Sequence, residues 1–349
     1  MKRIGNLYEK FISLDNCIQA EKRLGRNKYH NRRAKHISEN AEKYAPRLQE
    51  VLASDSWIPS KNRTKVIHDN VSGKERKLEI ANLFDQSVEL AWLNVVEETI
   101  LRRLPYYCCG SMPKAGQSRA YKYMKKLANR YKYCALTDIT KFYESIPHKL
   151  VMDNLRRIIK DEKFLSVAQM MLDHMGNGEV GVPIGHPISH WFANISLMRC
   201  IHALTGMDVK VVQYMDDVAM FSNNKRHLRR ALEWLKSEYD LIGFRMKHNY
   251  QLFPVKSRKV QYLSYRFFKG AMILKKKIMY RIAKTAKKFA YDMYLRLAQR
   301  MMCYYAIMKH CSCYRFREKR VMPYISKTKL RGFISNESKN KIRADAQSV

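Results

Sequence analysis

Val211-Val212-Gln213-Tyr214-Met215-Asp216-Asp217-Val218-Ala219-Met220-Phe221 is the stretch on which the reading of this chain turns. Apolar residues flank two adjacent aspartates, a pattern that predicts a β-hairpin packed on a core. Unpaired carboxylates are costly in such a place. Two side by side also repel, and a divalent cation between them is the simplest remedy. Mg²⁺ takes oxygen ligands, commonly one or two carboxylates together with substrate phosphates. The doublet therefore points to phosphoryl transfer.

Two ions need a third carboxylate, and Tyr133-Cys134-Ala135-Leu136-Thr137-Asp138-Ile139-Thr140-Lys141-Phe142-Tyr143 supplies one. A short apolar strand ends there in Asp138, with an aromatic residue five positions on. The separation of 78 positions between Asp138 and Asp216 leaves room for a helix pair and a loop between neighbouring strands. Taken alone, Asp138 reads equally as the cap of a following helix. Beside the doublet it reads as a ligand.

With these residues in view, the chain resembles the reverse transcriptases. Tyr214-Met215-Asp216-Asp217 is similar to their YxDD box, and Asp138 to Ile146 to their first catalytic motif. Between them, Gly181-Val182-Pro183-Ile184-Gly185-His186-Pro187-Ile188-Ser189-His190-Trp191-Phe192-Ala193-Asn194 resembles the template-and-nucleotide motif. Gly243-Phe244-Arg245-Met246-Lys247 resembles the lysine-bearing fourth motif. Leu263-Ser264-Tyr265-Arg266-Phe267 resembles the primer-grip strand, with Ser264 where the family usually has Gly. Lys74-Glu75-Arg76-Lys77 and Cys109-Gly110-Ser111-Met112-Pro113-Lys114-Ala115-Gly116 stand in the place of the fingers motifs. The resemblance runs from Gly73 to Phe268. Each motif alone is weak, whereas five in order are specific.

RNA-dependent RNA polymerases are the rival class. They usually carry a second Asp five residues after the first catalytic one, to recognise the ribose 2′-OH. Tyr143 occupies that position here. A bulky ring resembles the steric gate of reverse transcriptases, which fills the volume of the 2′-OH. The alternative for Tyr143 is a core aromatic beside Phe142.

The formal charge is +36 over 349 residues. Such an imbalance opposes compaction by self-repulsion unless a polyanion binds. Nucleic acid is the expected partner, and its binding weakens with salt through counterion release. No apolar run reaches the roughly 20 residues of a spanning helix. Met1 to Asn6 lacks the apolar region of a signal peptide. These features predict a cytoplasmic protein, bacterial or phage-encoded, with no membrane partner. The eight cysteines are expected to be free thiols in a reducing compartment. Cys303, His310, Cys311 and Cys313 cluster in sequence, but their spacing fits no common zinc pattern.

The expected fold class is α+β: a right-hand polymerase with fingers, a palm of antiparallel sheet backed by helices, and a helical basic thumb. Residues 1–60 read as a basic helical N-terminal extension, with few apolar positions in phase beyond Tyr8, Phe11 and Ile12. Residues 61–130 read as fingers, in which Leu83, Val88, Leu90, Leu93 and Val96 suit a buried helix face. Residues 131–268 carry the palm and its motifs. Residues 269–349 read as the thumb and a polar tail. From residue 271 onward there are 20 Lys and Arg against four Asp and Glu. Ile278, Ile282, Ala286, Phe289, Met293, Leu297, Met301 and Met308 predict one long amphipathic helix. After Pro323 the tail is expected to be mobile.

The resemblance implies the roles. Asp138 and Asp216 bridge two Mg²⁺ ions, with Mn²⁺ as a substitute. Asp217 assists, and the backbone carbonyl of Ile139 is a further ligand. Lys74, Arg76 and Lys77 are candidates to neutralise the triphosphate, because cations stabilise charge that develops in transfer. Lys247 is the candidate general acid for pyrophosphate, or else a surface lysine. Tyr143, Ile184 and Gly185 border the nucleotide. Ser189, Tyr262 and Tyr265 are assigned to primer and template, with packing as the alternative for the two tyrosines. The partners implied are an RNA template, a DNA or RNA primer, dNTPs and a small basic accessory protein.

Ile184 stands where retroviral and group II intron enzymes usually have Gln. Ile184-Gly185-His186-Pro187-Ile188-Ser189-His190 resembles the Ile-Gly-x-x-x-Ser-Gln form of diversity-generating retroelement enzymes, with His190 in place of Gln. An isoleucine offers the nucleotide no amide hydrogen bond, which predicts low fidelity. Nuclease patterns and a retron-type Val-Thr-Gly run are not seen after the palm. A low-fidelity reverse transcriptase of a diversity-generating retroelement is therefore expected. The alternatives are a phage-defence reverse transcriptase and a non-catalytic RNA-binding chaperone.

Overall fold

The computed structural model describes residues 2–28, 31–69, 71, 73–113, 115–268 and 270–347, with side chains as far as 337 in the last helix. Four helices open the chain: α1 (Tyr8–Phe11), α2 (Leu14–Leu24), α3 (Arg32–Glu39) and α4 (Ala41–Ala53). A two-stranded ribbon of β1 (Arg63–His68) and β2 (Glu75–Ile80) leads to the long helix α5 (Leu83–Arg103) and then to α6 (Gly116–Arg130). Next come β3 (Tyr133–Thr137), a 3₁₀ turn at Phe142–Ser145, and α7 (His148–Arg156), α8 (Glu162–Asp173) and α9 (Ser189–Thr205). The hairpin β4 (Lys210–Tyr214) and β5 (Asp217–Ser222), then α10 (Lys225–Leu241) and β6 (Gln251–Pro254), follow. The remainder is a meander, β7 (Val260–Tyr262), β8 (Tyr265–Phe268) and β9 (Ala271–Leu274). Four helices end the chain: α11 (Lys276–Tyr291), α12 (Leu295–Met308), α13 (Tyr314–Arg320) and α14 (Lys327–Gln347). The fold class is α+β with antiparallel pairing, as expected.

The chain forms two compact units. One comprises Met1–Val66, Lys77–Ala120 and Ala135–Leu252, the other Ile67–Arg76, Tyr121–Cys134 and Phe253–Val349. In the first unit the opening helices start where polar side chains satisfy free backbone amides. Ser13 accepts from Asn16 N at the start of α2, and Asn31 from Ala34 N at the start of α3. Their small buried residues, Cys17, Ala20, Ala34, Ala41 and Ala45, let the helices approach closely. Phe11 meets Phe164 edge-on at 5.7 Å, and Phe164 stacks on Trp92 of α5 at 4.9 Å. The sparse apolar pattern of residues 1–60 thus understates their packing, because alanines carry much of it.

Helix α5 is buried on more than one face, including Asp85, Gln86, Ser87 and Glu89. Each of these polar groups has a partner. Trp57 Nε1 donates to Asp85 at 2.9 Å, Lys28 to Gln86 at 2.5 Å, and Ser87 to Glu21 at 2.8 Å. The four-stranded sheet has the order β4-β5-β3-β6. Three helices, α7 to α9, separate β3 from β4 rather than the expected pair. β3 consequently lies beside β5, not β4.

In the second unit the expected single thumb helix is two. Asp292 closes α11 with extended backbone, φ −120° and ψ 97°, and Tyr294 opens α12 in the same region. Asp competes for backbone hydrogen bonds and favours helix ends. Met293 falls in the break and is exposed, so it leaves the apolar stripe. The stretch after Pro323 is also corrected. It forms α14, whose Leu330 is fully buried and whose Phe333 meets Phe289 edge-on at 5.5 Å. Those two apolar contacts anchor a segment whose composition reads as polar. Among the described residues no helix is long and apolar enough to cross a membrane.

Candidate active site

The β4–β5 hairpin pairs Tyr214 with Asp217, leaving Met215 and Asp216 as its two-residue turn. Met215 adopts φ +55°, a region that costs an L-residue roughly 1–2 kcal/mol. Gln213 of the same hairpin and two other stretches hold it there. Gln213 Nε2 donates to the Met215 carbonyl at 3.1 Å. Asn194 Nδ2, from α9, donates to the Gly110 carbonyl at 2.9 Å and reaches Met215 Sδ at 3.7 Å. A Cβ on Gly110 would lie 2.5 Å from Met215 N, so only glycine fits beside the turn. The Gly110 stretch itself runs along β4. Cys109 N donates to the Gln213 carbonyl at 2.8 Å, and Gln213 N to that of Tyr107 at 3.1 Å.

β3 ends one residue before Asp138, next to β5. The Asp138 stretch pairs with the one carrying Lys247. Lys247 N donates to the Asp138 carbonyl and Thr140 N to that of Arg245, both at 2.8 Å. This pairing brings Lys247 Nζ onto Asp138 Oδ2 as a short ion pair. Ile139, between them, is fully buried and bridges Met246. Asp138 Oδ1 is buried with no hydrogen-bond partner.

Asp216 lies against Asp138. Burial first, then the hydrogen bond and charge of Asp138, then the charge of Asp217, push its carboxyl well above the ordinary 3.8. Two carboxylates this close share a proton or a cation. Tyr239 of α10 is buried beside them with its hydroxyl unpartnered. Burial raises its pKa well above 10, with the charges of Cys200, Asp216 and Asp138 adding to the rise.

This donor set fits a hard divalent cation: two converging carboxylates, one with a buried oxygen that no protein donor satisfies. The convergence is of a pair. Among the described residues no three His, Cys, Asp or Glu side chains stand together as a ligand group. Asp217 begins β5, where consecutive residues alternate faces, and it reaches Asp216 through its charge.

Tyr143 sits in the 3₁₀ turn after Asp138. Its hydroxyl donates to Met215 Sδ at 3.6 Å, which places a half-buried ring beside the turn carrying Asp216. Ile184 is half-buried, and its carbonyl accepts from Glu79 N at 2.9 Å. Gly185 adopts φ +134° with its Cα against the Glu79 carbonyl, where a Cβ would stand at 2.2 Å. Ser189 opens α9 and gives its hydroxyl to the Pro183 carbonyl at 2.5 Å.

A model of the reverse transcriptase (RNA-dependent DNA polymerase) family matches residues 61–267, the span that holds every residue of this site. The chain belongs to the reverse transcriptase family. No match is found among curated proteins. Among solved structures, apo telomerase of Candida tropicalis truncated from its C-terminal domain is similar with a TM-score of 0.46 and 12% identity, over 64% of this chain and 58% of that one. The apo Candida tropicalis telomerase without that truncation gives 0.47 and 11%, over 70% and 52%. Telomerase of Candida albicans with a fragment of telomeric RNA gives 0.46 and 11%, over 75% and 58%. This reverse transcriptase chain therefore spans between about half and three fifths of the telomerase chains it matches.

The remaining expected site residues of the reverse transcriptase are placed as follows. Lys74, Arg76 and Lys77 are exposed at the start of β2, and Lys77 pairs with Glu79 at 3.5 Å. Lys114 lies outside the described residues. Tyr262 and Tyr265 are buried in the second unit. The Tyr265 hydroxyl donates to the Ile307 carbonyl at 2.8 Å, and its ring meets Tyr121 edge-on at 4.5 Å. Their packing reading is the one the side chains display. His190 is pulled down to about 4, by burial first and by the Arg23 charge second, and so is neutral at physiological pH. Sequence reasoning assigned no role to Gly110, Asn194, Gln213 or Tyr239. For Gly110, Asn194 and Tyr239 the signal is proximity to Met215, Asp138 or Asp216 across the fold, whereas Gln213 reaches Met215 within its own hairpin.

Proposed function

We propose that this chain is an RNA-directed DNA polymerase that adds deoxynucleotides to a primer 3′-OH on an RNA template. The observation that carries this reading is the meeting of Asp138 and Asp216 around a buried oxygen no protein donor satisfies. Asp138, Asp216 and Asp217, with the Ile139 carbonyl, would hold two Mg²⁺ ions, for which Mn²⁺ would substitute. Bound there, such ions neutralise charge on the attacking hydroxyl and the leaving pyrophosphate. Lys247 compensates Asp138 and is the proton donor for pyrophosphate. Tyr143 stands beside the turn and excludes the ribose 2′-OH. Lys74, Arg76 and Lys77 meet the triphosphate, while Ser189, Tyr262 and Tyr265 are assigned to primer and template.

The finer assignment is to a diversity-generating retroelement, with a small basic accessory protein and a bacterial or phage cytoplasm as its setting. Ile184, apolar where a glutamine amide would anchor the nucleotide, supports it. The test is primer extension on RNA with Mg²⁺, comparing wild type with Asp216→Asn. RNA-dependent function that survives in the variant would end the catalytic reading and leave an RNA chaperone. Product errors concentrated opposite template adenines support the retroelement assignment. Products formed with no template added point instead to a defence enzyme. Tyr143→Ala is expected to raise ribonucleotide incorporation by about tenfold or more, measured by alkali-sensitive product.

A further inference from the structure

We propose that Glu89 and His186 form a positioning clamp that sets where Ile184 and Gly185 stand against the incoming nucleotide. The inference rests on the reading of Ile184 and Gly185 as nucleotide-bordering residues and names what holds them.

The clamp joins two stretches 97 residues apart. His186 Nδ1 lies 2.6 Å from Glu89 Oε1, and Ile188 N donates to Glu89 Oε2 at 3.2 Å. A single carboxylate thus grips the His186 side chain on one side of Pro187 and the backbone of Ile188 on the other. The side chains of His186 and Glu89 are only 5% and 3% exposed, so water does not compete for the pair. In such a place an ionised carboxylate persists only when its oxygens are hydrogen-bonded.

Glu89 is itself on a fixed support. Asp85 and Gln86, on the preceding turn of α5, are bonded to different parts of the first unit. The gripped stretch is braced at its other end. Ile184 accepts from Glu79 N, Gly185 lies flat on the Glu79 carbonyl, and Ser189 closes back onto Pro183. Gly185 adopts φ +134°, a conformation open to glycine and strained for other residues. Ile184 has no polar atom in its side chain with which to find its own place. Its position follows from its backbone, which Glu89 fastens through the His186 side chain two residues on and the Ile188 N–H four residues on. A shift of about 1 Å in such a supporting residue is enough to degrade a site.

The test is single-nucleotide incorporation kinetics on an RNA template with the full chain, using Glu89→Gln, His186→Ala, His186→Asn, Ile184→Gln and Glu21→Gln. The His186→Asn amide nitrogen takes the place of Nδ1. Glu21→Gln alters another buried carboxylate bonded to α5, away from the clamp. We expect Glu89→Gln and His186→Ala to raise dNTP KM by about tenfold, the scale of one buried hydrogen bond. kcat should stay within about threefold, and His186→Asn should recover most of the KM. Ile184→Gln should also move KM, and Glu21→Gln should not. If Ile184→Gln moves KM while the clamp variants do not, the clamp is wrong and the nucleotide reading stands. An unmoved KM in Ile184→Gln removes that reading and the clamp with it. Equal effects from Glu21→Gln would reduce the clamp to general stability and overturn it. If His186→Ala does not fold, Glu89→Gln against His186→Asn decides by the same KM split.

Discussion

Glu89 and Asp138 are two carboxylates of the same unit, and they are provided for differently. Both oxygens of Glu89 are occupied, one by His186 and one by Ile188 N. Asp138 has Lys247 on one oxygen, and among the described residues its other, buried oxygen meets no N–H or hydroxyl donor, with the Asp216 carboxyl pressed against Asp138. In the first arrangement the carboxylate itself is satisfied, although among the described residues His186 Nε2 is buried without a hydrogen-bond partner, and it reads as architecture. The second asks for more positive charge than the protein supplies. Buried polar groups left unsatisfied are uncommon, and they call for an explanation such as an ion or a catalytic role. The contrast separates structural from working carboxylates more sharply than burial does, since Glu89 is the more buried of the two.

The largest expected effect divides the two sites. Asp216→Asn should lower kcat/KM by roughly 10²–10³-fold or more, yet leave the melting temperature unchanged or higher, because a like-charge contact is relieved. Mg²⁺ should raise the melting temperature of wild type and not of the variant. A clear fall in melting temperature would place Asp216 with the architectural carboxylates. The opposite behaviour is expected of Glu89→Ala, which strands His186. Chemical denaturation should show a loss of about 3–5 kcal/mol, and a loss below about 1 kcal/mol would erase the distinction. Gly110→Ala forces a Cβ onto Met215 N. An overpacking cost of about 1–3 kcal/mol is expected from denaturation curves, with activity falling further than stability as the turn moves.

The smallest effect is on pH dependence. Burial pulls the His186 imidazole down, but the hydrogen bond and charge of Glu89, joined by Glu79 and Asp85, outweigh it and leave the ring above 6.5. Lys28, on the other side of Glu89, stays within reach of that charge. A raised folded value means that the native chain holds this proton more tightly than the unfolded one. Its stabilisation is complete below 6.5 and fades as pH rises through the raised value. Melting curves of wild type and His186→Asn should therefore converge at alkaline pH. Curves that stay parallel would show His186 to be uncharged throughout.

The β4–β5 hairpin and Asp138 were legible because their signals are local: apolar runs interrupted by acids. The clamp was not, although His186 was in plain view. Its partner lies 97 residues upstream on a helix whose apolar positions suggested one buried face. Asp85, Gln86, Ser87 and Glu89 read as that helix's wet side, and long-range partners made it dry. The break at Asp292 was hidden for the opposite reason. Met293 kept the three-to-four spacing by chance, and spacing alone does not reveal that the backbone has left the helix. The tail after Pro323 misled through composition, since Leu330 and Phe333 are few among many charges but sufficient to anchor it.

The dryness of α5 has a practical corollary. Glu21 and Lys28, which complete its hydrogen bonding, come from the opening helical region. A chain trimmed to the family-matching span would leave Ser87 and Gln86 without those partners and remove Phe11 from the edge of Phe164, the ring on which Trp92 stacks. Anyone seeking a minimal catalytic fragment should retain the first four helices, and chimaeras that exchange this region should carry α5 along with it.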